Sequence, residues 1–136
     1  MANAPKVVFD TNIFVSAIIF GGNPRACLEM VRNGEIRLFT SRTLLFELSE
    51  SLQRKFGYSG EEVEEIILGI AAFTDIVEPG ETVGLIKTDK SDNRVLEVAA
   101  EVGADFIVSG DKKHILSLGK FRKTKILNAS EFVKRN

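Results

Sequence analysis

Asp10, Glu47, Asp92 and Asp111 are the side chains of this sequence whose type and placement could do chemistry together. Asp10 closes the apolar run Val7-Val8-Phe9, and Asp111 follows Ala104-Asp105-Phe106-Ile107-Val108-Ser109-Gly110, so each acid stops a strand-like stretch. In an open parallel sheet, ligands are held at the carboxyl ends of the strands, and two strand-end acids emerge at the same edge. Counted at about 100° per residue, Glu47 lies at the edge of the helical stripe Leu44, Leu45, Leu48 and Leu52. By the same count Asp92 falls within the inward stripe of Val95, Leu96, Ala99 and Val102. A carboxylate on an inward face is costly unless something binds it. Carboxylates gathered at one edge repel one another and raise their pKa values unless a cation neutralises them. These residues therefore point to a divalent-metal site, and their hard oxygens select Mg²⁺ or Mn²⁺ over zinc or copper. Such a site suits attack by an activated water on a phosphodiester. Simpler readings stand beside this one: Asp10 and Asp111 as helix caps, Asp92 as a first-turn acid, Glu47 in solvent.

Other chemistries lack their residues. His114 is the only histidine and Cys27 the only cysteine, which leaves no disulfide framework and no cysteine-based zinc site. Cys27 reads as a small buried residue on a helix. GxGxxG, the Walker-type GxxxxGK[ST] and the GxSxG elbow are all absent, which removes the common nucleotide-binding and serine-hydrolase readings.

The elements that would position the acids follow from periodicity and punctuation. A strand ends at Asp10 and is followed by a helix over 13–20. Gly21-Gly22-Asn23-Pro24 restarts a helix to about Arg32, with Asn23 placed to cap it and Pro24 suited to its first turn. A strand at 36–39 leads through Thr40 or Ser41, as cap, into a helix from about Arg42 to Lys55. Residues 61–73 form an amphipathic helix, with Val63, Ile66, Ile67 and Ile70 inward and glutamates at its start, where the dipole favours acids. A weak strand at 75–77 precedes an irregular stretch, with an extended piece at 83–86. A helix over 92–102, a strand at 104–108, a short helix over 112–118, a strand at 125–127 and a helix opened by Asn128 or Ser130 complete the order. This alternation predicts right-handed crossovers and a parallel sheet covered on both faces, a three-layer α/β/α sandwich.

The 136 residues are the size of one domain, with 44% hydrophobic and 27% charged residues. No apolar run approaches the roughly 20 residues needed to cross a bilayer, and the N-terminus lacks a signal-like apolar region, so a cytoplasmic location is expected. The net charge of −1 conceals a gradient. Residues 61–105 carry twelve acids against three bases, whereas residues 112–136 carry eight Lys or Arg against Glu131 alone. The basic end is either a solvated tail or a patch that meets phosphate beside the acidic site.

Four segments carry a resemblance. Phe9-Asp10-Thr11-Asn12, Leu45-Phe46-Glu47-Leu48, Asp89 to Ala99 and Ala104 to Asp111 resemble, in order and separation, the four acidic motifs of PIN-domain proteins, and are most similar to those of small toxin components of toxin–antitoxin systems, the VapC toxins. The resemblance spans essentially all of residues 1–136. It implies a Mg²⁺- or Mn²⁺-dependent endoribonuclease in which Asp10, Glu47, Asp92 and Asp111 match the acidic quartet. Asn12 matches a polar supporting residue, and Ser109 the small hydroxyl position before the last acid. Asp89 is either a further ligand or a cap of the Asp92 helix. Asp105 matches a family position but lies at the far end of its strand, which assigns it a structural role. Lys112, Lys113 and Arg25 are candidates for contacts to flanking phosphates, or simply solvated cations. The resemblance further implies an RNA substrate, an antitoxin protein that blocks the acidic site, and a homodimer. The alternatives are a non-catalytic RNA- or protein-binding module, a housekeeping RNA-processing nuclease, and a phosphatase of the haloacid-dehalogenase type. In the last, Asn12 stands where a second acid is required.

Overall fold

In a computed structural model, described over residues 3–84, 90–110 and 115–135, the strands form one six-stranded sheet. Strands β1 (Lys6–Phe9), β2 (Arg37–Thr40), β3 (Thr74–Ile76), β4 (Phe106–Val108) and β6 (Thr124–Leu127) are parallel to their neighbours, and β5 (Lys120–Phe121) adds an antiparallel edge. The strand order is β3-β2-β1-β4-β6-β5. The helices are α1 (Thr11–Ile19), α2 (Gly22–Arg32), α3 (Arg42–Phe56), α4 (Gly60–Ala71), α5 (Lys90–Val102), α6 (Ile115–Leu118) and α7 (Ala129–Lys134).

Because successive strand residues point to opposite faces, the sheet feeds two cores. Val7, Phe9, Leu38 and Val108 pack under α1, α2, α3, α4 and α7, where Phe14, Cys27, Leu48 and Phe132 are buried. Val8, Phe39, Ile107 and Ile126 face α5 and α6, with Val95, Leu96, Ala99 and Ile115. The result is the expected three layers. Both faces of β1 and β4 are covered, which explains their unbroken apolar runs.

Local chemistry sets most boundaries. Ser41 caps α3 by accepting the Leu44 N–H at 3.2 Å, and Gly57, at φ +70°, ends it in the left-handed conformation. Ser59 with Glu62, and Asn128 with Glu131, form reciprocal capping boxes at α4 and α7. Asn23 does not cap α2. Gly21, at φ +80°, turns the chain so that the helix begins at Gly22 and encloses Asn23. The expected short helix over 112–118 is described only as α6, and the expected extended piece at 83–86 is described only at Val83 and Gly84, which are not in a strand. Strand β5 has no apolar run of its own and forms by pairing Lys120 with Lys125 and Phe121 with Thr124.

Candidate functional site

The carboxyl edge of the sheet gathers side chains from four elements. The Asp10 N–H makes the closing bond between β1 and β4, to the Val108 carbonyl at 3.0 Å, which places Asp10 at the mouth of both strands. Its side chain caps α1, with Oδ1 accepting the Ile13 N–H at 3.2 Å, while Oδ2 accepts the Ser109 hydroxyl. The capping reading of Asp10 is therefore realised, and it coexists with a place in the site. Asp10 is only 3% exposed, and Ser109 is fully buried at the end of β4.

A cleft of about 470 Å³ opens over this edge, lined by Asp10 and Asn12, by Glu47 from α3 and by Asp92 from the first turn of α5. Asn12 is exposed, Glu47 half-buried, and Asp92 only 6% exposed. Glu47 reaches the cleft because α3 buries Leu44, Leu45, Leu48 and Leu52 and leaves Glu47 beside that stripe. The middle of α5 is tied to the preceding segment by Glu97, which accepts the Val83 N–H at 2.8 Å and an Arg94 N–H at 2.7 Å. This part-buried pair, on the turn that follows Asp92 and Asn93, ties down the helix that carries Asp92.

The same cleft holds residues that motif reasoning missed. Phe46, Glu50, Ser51, Arg54 and Lys55 also line it, and Arg54 Nε lies 3.1 Å from Glu50. The signal was available: positions three, four, seven and eight after Glu47 share its side of a helix. Arg25 is exposed near the start of α2 and is not among the lining residues. Lys120, Lys123 and Lys125 lie at the opposite edge of the sheet, so this part of the basic end does not sit beside the acids. Asp105 is also at that edge and accepts the Lys6 N–H at 2.9 Å, a structural tie between β1 and β4. Asp89, Asp111, Lys112 and Lys113 lie outside the described residues.

The donor set fits a hard cation. Asp10, Glu47 and Asp92 offer carboxylate oxygen and Asn12 a carbonyl oxygen, and among the described residues no thiolate or imidazole lines the cleft. Among the described residues, no three or more His, Cys, Asp or Glu side chains are drawn closely enough together to hold a metal ion by themselves. Asp10, Glu47 and Asp92 therefore line one cleft without by themselves forming a closed ligand set.

An α/β sandwich with acids at the carboxyl edge of its sheet defines the class, and the family follows. The chain belongs to the PIN domain family, whose model matches residues 6–113. Members are generally nucleases that use divalent metal ions. The chain is 31% identical over 129 residues to an uncharacterized protein of Methanocaldococcus jannaschii, covering 90% of this chain and 81% of that one. Its fold resembles that of Mycobacterium tuberculosis VapC20, described as a Sarcin-Ricin loop cleaving toxin. The TM-score is 0.57 at 12% identity, over 88% of this chain and 98% of VapC20. Among the described residues, no helix is long and apolar enough to cross a membrane.

Proposed function

We propose that the protein is a Mg²⁺- or Mn²⁺-dependent endoribonuclease, residues 1–136 forming one PIN domain, with the cleft over Asp10 as its active site. The observation that carries this reading is the convergence of Asp10, Glu47 and Asp92, from three elements far apart in the chain, on one cleft in a PIN-domain fold. Asp10, Asp92 and Asp111 hold one or two ions, and Glu47 adds a ligand or orients the attacking water. When bound, the ion lowers the pKa of its water and neutralises charge on the scissile phosphate. Ser109, by donating to Asp10 Oδ2, leaves that carboxylate one orientation. Asn12 supports the cleft wall, and Asp89 is a further ligand or a cap of α5. Lys112, Lys113, Arg54 and Lys55 contact flanking phosphates, and the exposed Arg25 is left as a solvated cation.

We further infer a cytoplasmic toxin of a type II toxin–antitoxin pair, acting as a homodimer. The motif resemblance and the fold shared with VapC20 support this. So does an apolar groove of about 290 Å³ between α3 and α4, where Phe46 and Leu68 stand 64% and 63% exposed. Phe46 lines both that groove and the acidic cleft, so a protein seated in the groove reaches the rim of the site. A housekeeping RNA-processing nuclease has the same chemistry but does not arrest growth on expression. Growth arrest abolished by Asp10→Asn and relieved by a neighbouring antitoxin gene is the expected result, and a monomer by sedimentation removes the dimer.

The direct test is cleavage of a labelled single-stranded or loop RNA with Mg²⁺ or Mn²⁺. Asp10→Asn is the informative variant because an asparagine oxygen still caps α1. Cleavage that stops with EDTA and with Asp10→Asn supports the reading. Equal cleavage by the variant removes the acidic cleft from the mechanism.

A further inference from the structure

Lys120, Lys123 and Lys125 line a second cleft of about 460 Å³, together with Phe106 and Asp105. Lys125 pairs with Phe106 in the β4–β6 register, which places this cleft at the amino-terminal edge of the sheet, opposite Asp10 and Ser109. Lys120 stands directly across from Lys125 in the antiparallel β5–β6 pair. Like charges directly opposite each other destabilise such a pair. The compensation from nearby acids is small. Asp105 spends one oxygen on the Lys6 N–H at 2.9 Å and approaches Lys123 only to 3.8 Å. Among the described residues, neither Lys120 nor Lys125 has an acidic partner. Arg135 adds to the positive field, with its guanidinium 4.5 Å from the centre of the Phe106 ring. An arrangement that is unfavourable alone becomes favourable when an anion enters.

We propose that this cleft binds phosphates of the RNA backbone, as a subsite separate from the acidic cleft; the choice of RNA as the polyanion rests on the nuclease reading above. The lysines are flexible point charges set along the β5–β6 hairpin, which suits an extended polyanion better than one enclosed ion. The four residues of β1 span about 13 Å at about 3.3 Å per residue, so an RNA reaches both edges once it extends several nucleotides past the cleaved bond.

The test is binding without turnover: anisotropy of a labelled single-stranded RNA of several tens of nucleotides, in EDTA, across a salt series. For Lys120→Glu/Lys123→Glu/Lys125→Glu, affinity falls at least about tenfold and the slope of log affinity against log salt decreases by about two, as three lost phosphate contacts to a single strand require. The corresponding triple Arg variant keeps both. Inorganic phosphate at equal total charge competes weakly if the cleft takes a polyanion, and competition as strong as that of RNA would assign it to free phosphate instead. Competition by poly-glutamate as strong as by RNA overturns the nucleic-acid assignment in favour of an acidic protein. Unchanged affinity and slope in the folded triple Glu variant overturns the subsite. Cleavage plays no part in the readout, so an inactive protein that still binds RNA through these lysines defeats the nuclease reading and leaves the subsite standing.

Discussion

Asp10 accepts a helix N–H with one oxygen and the Ser109 hydroxyl with the other, so substitutions can separate its fold role from its charge. Asp10→Ala loses the cap and is expected to unfold about 1 kcal/mol more easily in urea, whereas Asp10→Asn keeps the cap and stays near wild type. RNA cleavage is expected to fall at least about a hundredfold in both, because both remove a carboxylate ligand. Cys27 gives a second residue-scale prediction. Burial pushes its thiol up to about 11 from 9.0. The unfolded chain therefore releases this proton first as pH rises, so the contribution is fully present below about pH 9 and is lost between there and about 11. Urea unfolding at both ends of that window is expected to show a steeper loss for wild type than for Cys27→Ala. Equal losses would remove the thiol as the cause. At this scale the sequence was readable where a residue's position on an element fixed its direction, as for Asp10, Glu47 and Asp92. Arg25 was not readable in this way: it stands exposed on α2 and is not among the residues that line the cleft.

At the scale of elements, a helix was legible wherever its caps and stripe agreed. The 61–73 segment has Ser59 and Glu62 in reciprocal contact, with hydrogen bonds from Ser59 holding the Glu62 carboxyl below the usual range. Ser59→Ala is expected to cost about 1 kcal/mol in urea unfolding, with the loss of α4 helicity following the same transition. A change under a few tenths of a kcal/mol would mean that packing of Val63 and Ile70 holds α4 without the cap. What was illegible at this scale depended on partners. The pairing that makes β5 is invisible in two residues, and α2 starts from a positive-φ Gly21 where Asn23 advertised a cap. Pairing with β6 decided the first and the turn at Gly21 the second, and neither leaves a periodic trace.

Over the whole molecule, part of the basic end, Lys120, Lys123 and Lys125, lies at the edge of the sheet opposite Asp10 and Ser109. The sequence displayed the imbalance but not its placement: whether Lys120 to Lys125 fall beside Asp10 or across from it depends on where β6 starts against β4, and the register puts them across. The acidic edge then carries a cost that the fold must tolerate, since Asp10, Glu47 and Asp92 line one cleft. Without a cation these carboxylates repel one another. Asp10→Asn, which keeps the cap while removing a charge, is therefore expected to melt at or above wild type in EDTA. Mg²⁺ or Mn²⁺ reverses the order: at a hundredfold excess over Kd, an ion bound only by the folded state adds about 2.7 kcal/mol to wild type. The variant, lacking a ligand, gains little. Thermal melting of both proteins, with chelator and with saturating metal, reads this crossover directly. Melting curves in the same order under both conditions would mean that repulsion among these acids is not what the cation relieves.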